Sequence, residues 1–165
     1  MNNNDRLIRL RYALDLSNTE MVDIFKLGGV EVTKEEVLQL LTKSNDDETE
    51  NEVQMKCTNQ MLDSFLNGLI IYKRGKQDPK PGQPQAPAGS VMTNENVNNI
   101  LLKKVKIALA LTGEDVLEIL EDAGITISKG ELSAVLRKEG HKNYKPCLDR
   151  YARNFLKGLA LKYRA

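Results

Sequence analysis

The chain has 165 residues, 41% of them hydrophobic and 28% charged, with a formal net charge of +1. That composition is ordinary for a globular protein, and no apolar run approaches the ~18–20 residues that a membrane span needs. The opening Met1-Asn2-Asn3-Asn4-Asp5 has neither the basic start nor the apolar stretch of a secretion signal, so a cytoplasmic location is expected.

The first predicted helix covers about residues 3–16, with Leu7, Leu10 and Leu14 spaced along one face. A second is predicted over about 18–27, opened by Ser17 and Glu20 and closed by Gly28-Gly29. The hydroxyl caps an orphan amide, the carboxylate favours the positive helix end, and glycine suits the helix exit. A short apolar hinge, Val30-Glu31-Val32, precedes a third helix whose start, Thr33-Lys34-Glu35-Glu36, has the form of a capping box. Glu36 is therefore read as a cap and not as a catalytic acid. An acidic loop (Asp46, Asp47, Glu48, Glu50, Glu52) leads to a fourth helix over about 57–74, with Phe65, Leu66 and Leu69 on one face. Residues 75–92 carry four of the five prolines, which removes amide donors and excludes regular structure, so a linker is predicted there.

Beyond the linker the pattern repeats. Tyr12-Ala13-Leu14-Asp15-Leu16 returns 95 positions on as Ile107-Ala108-Leu109-Ala110-Leu111, and Phe65-Leu66-Asn67-Gly68-Leu69 returns 90 positions on as Phe155-Leu156-Lys157-Gly158-Leu159. Helices are expected over about 97–111, 113–123 and 147–164, with a third of the four opened by Ser128-Lys129-Gly130-Glu131, again in capping-box form. The fold class predicted is all-α: two homologous four-helix units from tandem duplication, residues 1–75 and 93–165, joined by the Pro/Gly-rich linker 76–92. Each copy must close its own core or share one with its twin. Gly68 and Gly158, in mid-helix where glycine costs about 1 kcal/mol relative to alanine, predict close approach of another backbone. Cys57 and Cys147 occupy equivalent places, as copying one buried thiol would produce, and are read as reduced and structural.

Chemistry is sparse. His141 is the one histidine, and with two cysteines about 90 positions apart it makes too few ligands for a zinc site. The first copy has Cys57 without a histidine, which argues against a Cys147–His141 nucleophile pair. No glycine-rich phosphate loop follows a strand. No enzyme activity, metal or cofactor is expected. Residues 1–75 carry a net charge of −4 and residues 93–165 a net +4. This asymmetry allows two binding readings. A protein-interaction or regulatory module, including self-association, is preferred. The alternative is nucleic-acid binding through a helix-turn-helix-like pair and the basic second copy, with Lys104, Lys106, Lys142, Lys145, Arg150 and Arg153 as candidate contacts. Against it stand a turn about two residues too long, carboxylates early in the third helix of each copy, and a pI near 7.7.

Leu10-Arg11-Tyr12-Ala13-Leu14, Phe65-Leu66-Asn67-Gly68-Leu69-Ile70 with Lys73-Arg74-Gly75, and His141-Lys142-Asn143-Tyr144 together resemble the YehS-like family of small bacterial proteins, a domain of unknown function present as two tandem copies. The resemblance spans nearly the whole chain. It implies a bacterial, cytoplasmic, all-helical protein and brings no activity, substrate or catalytic residue.

Overall fold

A computed structural model describes residues 3–41, 56–74, 92–93, 96–137 and 142–163. Eight helices and no strand occur among them: α1 (Asn3–Leu14), α2 (Asn18–Leu27), α3 (Lys34–Leu40), α4 (Asn59–Arg74), α5 (Val97–Ala108), α6 (Gly113–Asp122), α7 (Lys129–Leu136) and α8 (Asp149–Tyr163). The predicted acidic loop, nearly all of the linker, His141, Lys138 and Arg164 lie outside the described residues. Met92, assigned by composition to the linker, is buried in the core.

Local chemistry explains where these helices begin and end. Ser17–Glu20, Thr33–Glu36 and Thr112–Asp115 form complete capping boxes, each hydroxyl accepting from the acid's amide while the carboxylate accepts from the hydroxyl residue's amide. The second copy departs from expectation at α7. Ser128 accepts from the Glu131 amide at 3.1 Å, but the Glu131 carboxylate does not return to Ser128. Helices α1, α2, α5 and α6 all end in a Schellman turn. The amides of Leu16, Val30, Leu111 and Ile125 each donate to the carbonyl five residues back. Gly29 and Gly124 supply the positive φ for two of these turns, at 93° and 97°. Asp15 and Ala110 supply it for the other two, at 53° and 54°, without glycine's freedom.

The glycines in α4 and α8 mark helix crossings. A Cβ on Gly68 would fall 1.9 Å from the Ile24 carbonyl oxygen of α2, and one on Gly158 would fall 2.2 Å from the Ile119 carbonyl oxygen of α6. Backbone meets backbone at the same crossing in both copies, as the sequence predicted.

Packing between copies is reciprocal. Helix α1 of the first copy packs chiefly against α8 of the second, and α4 of the first chiefly against α5 of the second. Exchanging the copies turns one contact into the other, which is the pattern of an isologous two-fold interface contained within one chain. The buried apolar side chains of both copies form one continuous cluster, in which Leu7, Leu10, Leu62, Phe65, Leu69, Leu101, Val105, Phe155 and Leu159 are inaccessible to solvent.

Candidate functional site

Cys57 and Cys147 are buried, free thiols. Each donates weakly to the next residue's carbonyl, and burial pushes each thiol up to about 12. At neutral pH they are protonated and poor nucleophiles. The backbone around each cysteine is held by a repeated asparagine pair. Asn4 Oδ1 accepts from the Cys57 amide at 3.0 Å while Asn4 Nδ2 donates to the Leu40 carbonyl at 2.9 Å. Asn99 does the same in the second copy, accepting from the Cys147 amide at 2.8 Å and donating to the Val135 and Lys145 carbonyls. Asn3 donates to the Cys57 carbonyl and to Asn59, as Asn98 does to the Cys147 carbonyl and to Asp149. The signal was present in the sequence: an Asn-Asn dipeptide repeats at 95 positions and a Cys-x-Asn/Asp triplet at 90.

Arg6 joins the two networks. Its buried guanidinium donates to Asn3 Oδ1 at 2.9 Å, Asn98 Oδ1 at 2.8 Å and Asp149 Oδ1 at 3.2 Å. Burial lowers the Arg6 pKa, while the hydrogen bond donated by the Asn98 amide holds the Asp149 carboxyl below its ordinary value. The N-terminal ends of α1, α4, α5 and α8 thus converge on one polar junction, where the Asp149 carboxylate offsets their positive dipole ends. Leu101 occupies the position equivalent to Arg6, so one arginine serves both copies.

The candidate nucleic-acid contacts separate into two groups. Lys104 is buried between the copies and ion-paired with Asp63, and it donates to Asn67 Oδ1 at 2.8 Å. It is not open to a partner. Lys106 is half-buried near the end of α5, whereas Lys142, Lys145, Arg150 and Arg153 are exposed. Arg9 and Lys157 are likewise exposed and belong with the second group. The helical hairpins offer poor readers of bases: α3 exposes Glu35 and Leu38, and Lys129 of α7 is engaged at 3.6 Å with Glu114.

A cavity of about 300 Å³ lies in the second copy, walled by Leu102, Leu120, Leu132, Val135 and Phe155, with Glu131 and Lys145 also lining it. Where the first copy packs Phe25 against Phe65, ring centroids 5.0 Å apart, the second has the smaller Leu120 beside Phe155. No group of three His, Cys, Asp or Glu side chains placed to hold a metal ion occurs among the described residues.

Two separate segments, residues 3–75 and 98–165, match the family model described as protein of unknown function (DUF1456). The chain belongs to this family. The paired match agrees with the two-copy arrangement of helices, each DUF1456 segment supplying four. The chain is also similar to "Uncharacterized protein YehS" of Escherichia coli (strain K12), 38% identical over 161 residues, which cover 97% of this chain and 95% of that protein. No solved structure matches. Among the described residues of this DUF1456 protein, no helix is long and apolar enough to cross a membrane.

Proposed function

We propose that this DUF1456 protein is a non-catalytic binding module whose partner is nucleic acid, gripped by its phosphate backbone and not read base by base. The observation that carries this reading is the set of cations on the second copy, Lys142, Lys145, Arg150, Arg153 and Lys157, all exposed and without a carboxylate partner among the described residues. The reactive side chains give a catalytic reading little support: both thiols are buried and protonated, and Glu36 is spent on a cap. The helix-turn-helix route is set aside because α3 presents Glu35 and Leu38 beside Lys34, and α7 presents Glu131 beside a Lys129 that already faces Glu114. Sequence-independent binding needs only cations that displace condensed counterions.

The test is fluorescence anisotropy of the full chain against labelled mixed-sequence duplex DNA and single-stranded RNA. Binding at low salt that weakens steeply as salt rises supports the proposal. Absence of binding to both at low salt removes it. A protein partner is the second reading, and it rests on Leu27 and Leu38, 44% and 54% exposed on the α2–α3 hairpin of the acidic copy. A monomeric sizing profile together with an empty capture from host lysate would remove that one.

A further inference from the structure

The internal two-fold makes two seams from one geometry, and their chemistry differs. On the α4–α5 seam, Lys104 of α5 meets Asp63 and Asn67 of α4. Exchanging the copies carries Lys104 to Arg9, Asp63 to Arg153 and Asn67 to Lys157. The α1–α8 seam therefore sets three cations at the register positions where its twin sets a cation, a carboxylate and an amide. The Arg6–Asp149 ion pair fixes the same register independently. Arg6 of α1 and Asp149 of α8 are in contact at 3.2 Å near the N-terminal ends of two helices that pack against each other. One turn further on α1 is Arg9; one and two turns further on α8 are Arg153 and Lys157. All three are exposed, and none of their side chains has a hydrogen bond or ion pair with another described residue. The carboxylates nearest in sequence on these helices are Asp5, one turn before Arg9, and Asp149, which Arg6 and Asn98 already engage.

We infer that the α1–α8 seam, through Arg9, Arg153 and Lys157, is the surface that grips the phosphate backbone of a nucleic acid. The inference rests on the nucleic-acid reading above and assigns it a place. With Asp5 and Asp149 the nearest carboxylates on the two helices, the three cations of the seam outnumber their counter-charges, and an anion laid along the seam offsets the excess. Exposed Tyr12, 57% accessible, stands one turn beyond Arg9 and adds a ring beside the cations. The source of the surface is the duplication: ancestral equivalence supplies the geometry, and the unlike residues decide which seam is closed by a salt bridge and which is open.

The experiment measures log affinity against log salt for a mixed-sequence duplex DNA of about twenty base pairs. The variant Arg9→Gln/Arg153→Gln/Lys157→Gln is expected to flatten the slope by about 2.7, at about 0.9 per phosphate contact. A control that removes the same charge elsewhere, Lys26→Gln/Lys34→Gln/Lys73→Gln, is expected to keep the parental slope. A second variant, Arg153→Asp/Lys157→Asn, rebuilds the twin seam's clamp opposite Arg9. It is expected to raise the melting temperature and flatten the slope as much as the triple variant does, a combination that no misfolded protein gives. If the parent binds and the triple variant keeps its slope, or the control loses as much, the seam assignment is overturned and the nucleic-acid reading survives. If Arg153→Asp/Lys157→Asn lowers the melting temperature, the register argument fails. If the parent binds polyglutamate but no DNA or RNA, the partner is an acidic polypeptide and both proposals fall.

Discussion

At the scale of single residues, the two cysteines show how burial decides chemistry. Their sequence positions mark them as copies of one thiol, and their environment, with each amide bound by an asparagine and each side chain shut from water, keeps them protonated. The consequence for stability has a definite sign. Each folded-state pKa is raised from an ordinary 9.0 to about 12. The thiols' contribution is fully present below pH 9 and is lost as pH rises through the folded value, because the unfolded chain releases protons that the native state retains. Between about pH 9 and 12 the unfolding free energy should fall by up to about 1.4 kcal/mol per pH unit for each thiol. Denaturant titrations across that window check this, and Cys57→Ala/Cys147→Ala should flatten the slope. A slope unchanged in the variant would show that the thiols titrate alike in both states.

At the scale of elements, the helix crossings are set by missing atoms. Gly68 lets α4 touch the backbone of α2, and a methyl group there would overlap the Ile24 carbonyl oxygen. Gly68→Ala should destabilise by about 3 kcal/mol or more, since neither backbone can retreat without parting the helices. Gly29 offers a contrast. A Cβ there meets nothing within 4 Å, and the cost comes only from its φ of 93°. Gly29→Ala should therefore cost only about 1 kcal/mol. Chemical denaturation of the two variants separates steric from conformational cost, and equal losses would refute the distinction. The helix starts were legible because a capping box is local: hydroxyl and carboxylate lie three residues apart. The incomplete box at Ser128 was not legible, because Glu131 has the right type and spacing and fails only in where its carboxylate goes.

At the scale of the whole molecule, the copies behave as two halves of one core. Helix α1 finds its main partner in α8 and α4 in α5, so each copy alone would expose the apolar faces that its twin covers. Arg6 and Lys104 reinforce this, since each crosses from one copy to polar groups of the other. Fragments 1–75 and 93–165 should each show little helical circular dichroism in isolation, and equimolar mixing should restore it. Full helicity and cooperative melting of either fragment alone would mean that one copy closes its own core. The duplication therefore couples folding to binding: the seam that closes the core on one side is, on the other, the basic surface proposed to meet nucleic acid.

The eight helices of the described residues, the capping boxes at Ser17, Thr33 and Thr112 and the twofold repetition follow from patterns within about twenty residues of one another or from plain self-similarity, so the amino-acid sequence alone determined them. It likewise determined the apolar faces of the helices that line the core, since their spacing recurs in both copies, whereas Met92 joined the core against the composition of its segment. The pairing of α1 with α8 and α4 with α5 was not written there, because the same apolar stripes would serve a helix packed within its own copy or across to its twin. Only the tertiary structure decided between them. That decision buried Lys104, made Arg6 the shared centre of four helix ends, and left Arg9, Arg153 and Lys157 exposed on the two helices of the α1–α8 seam. A side chain's type sets what it can do, and which groups it meets across distant sequence sets what it does.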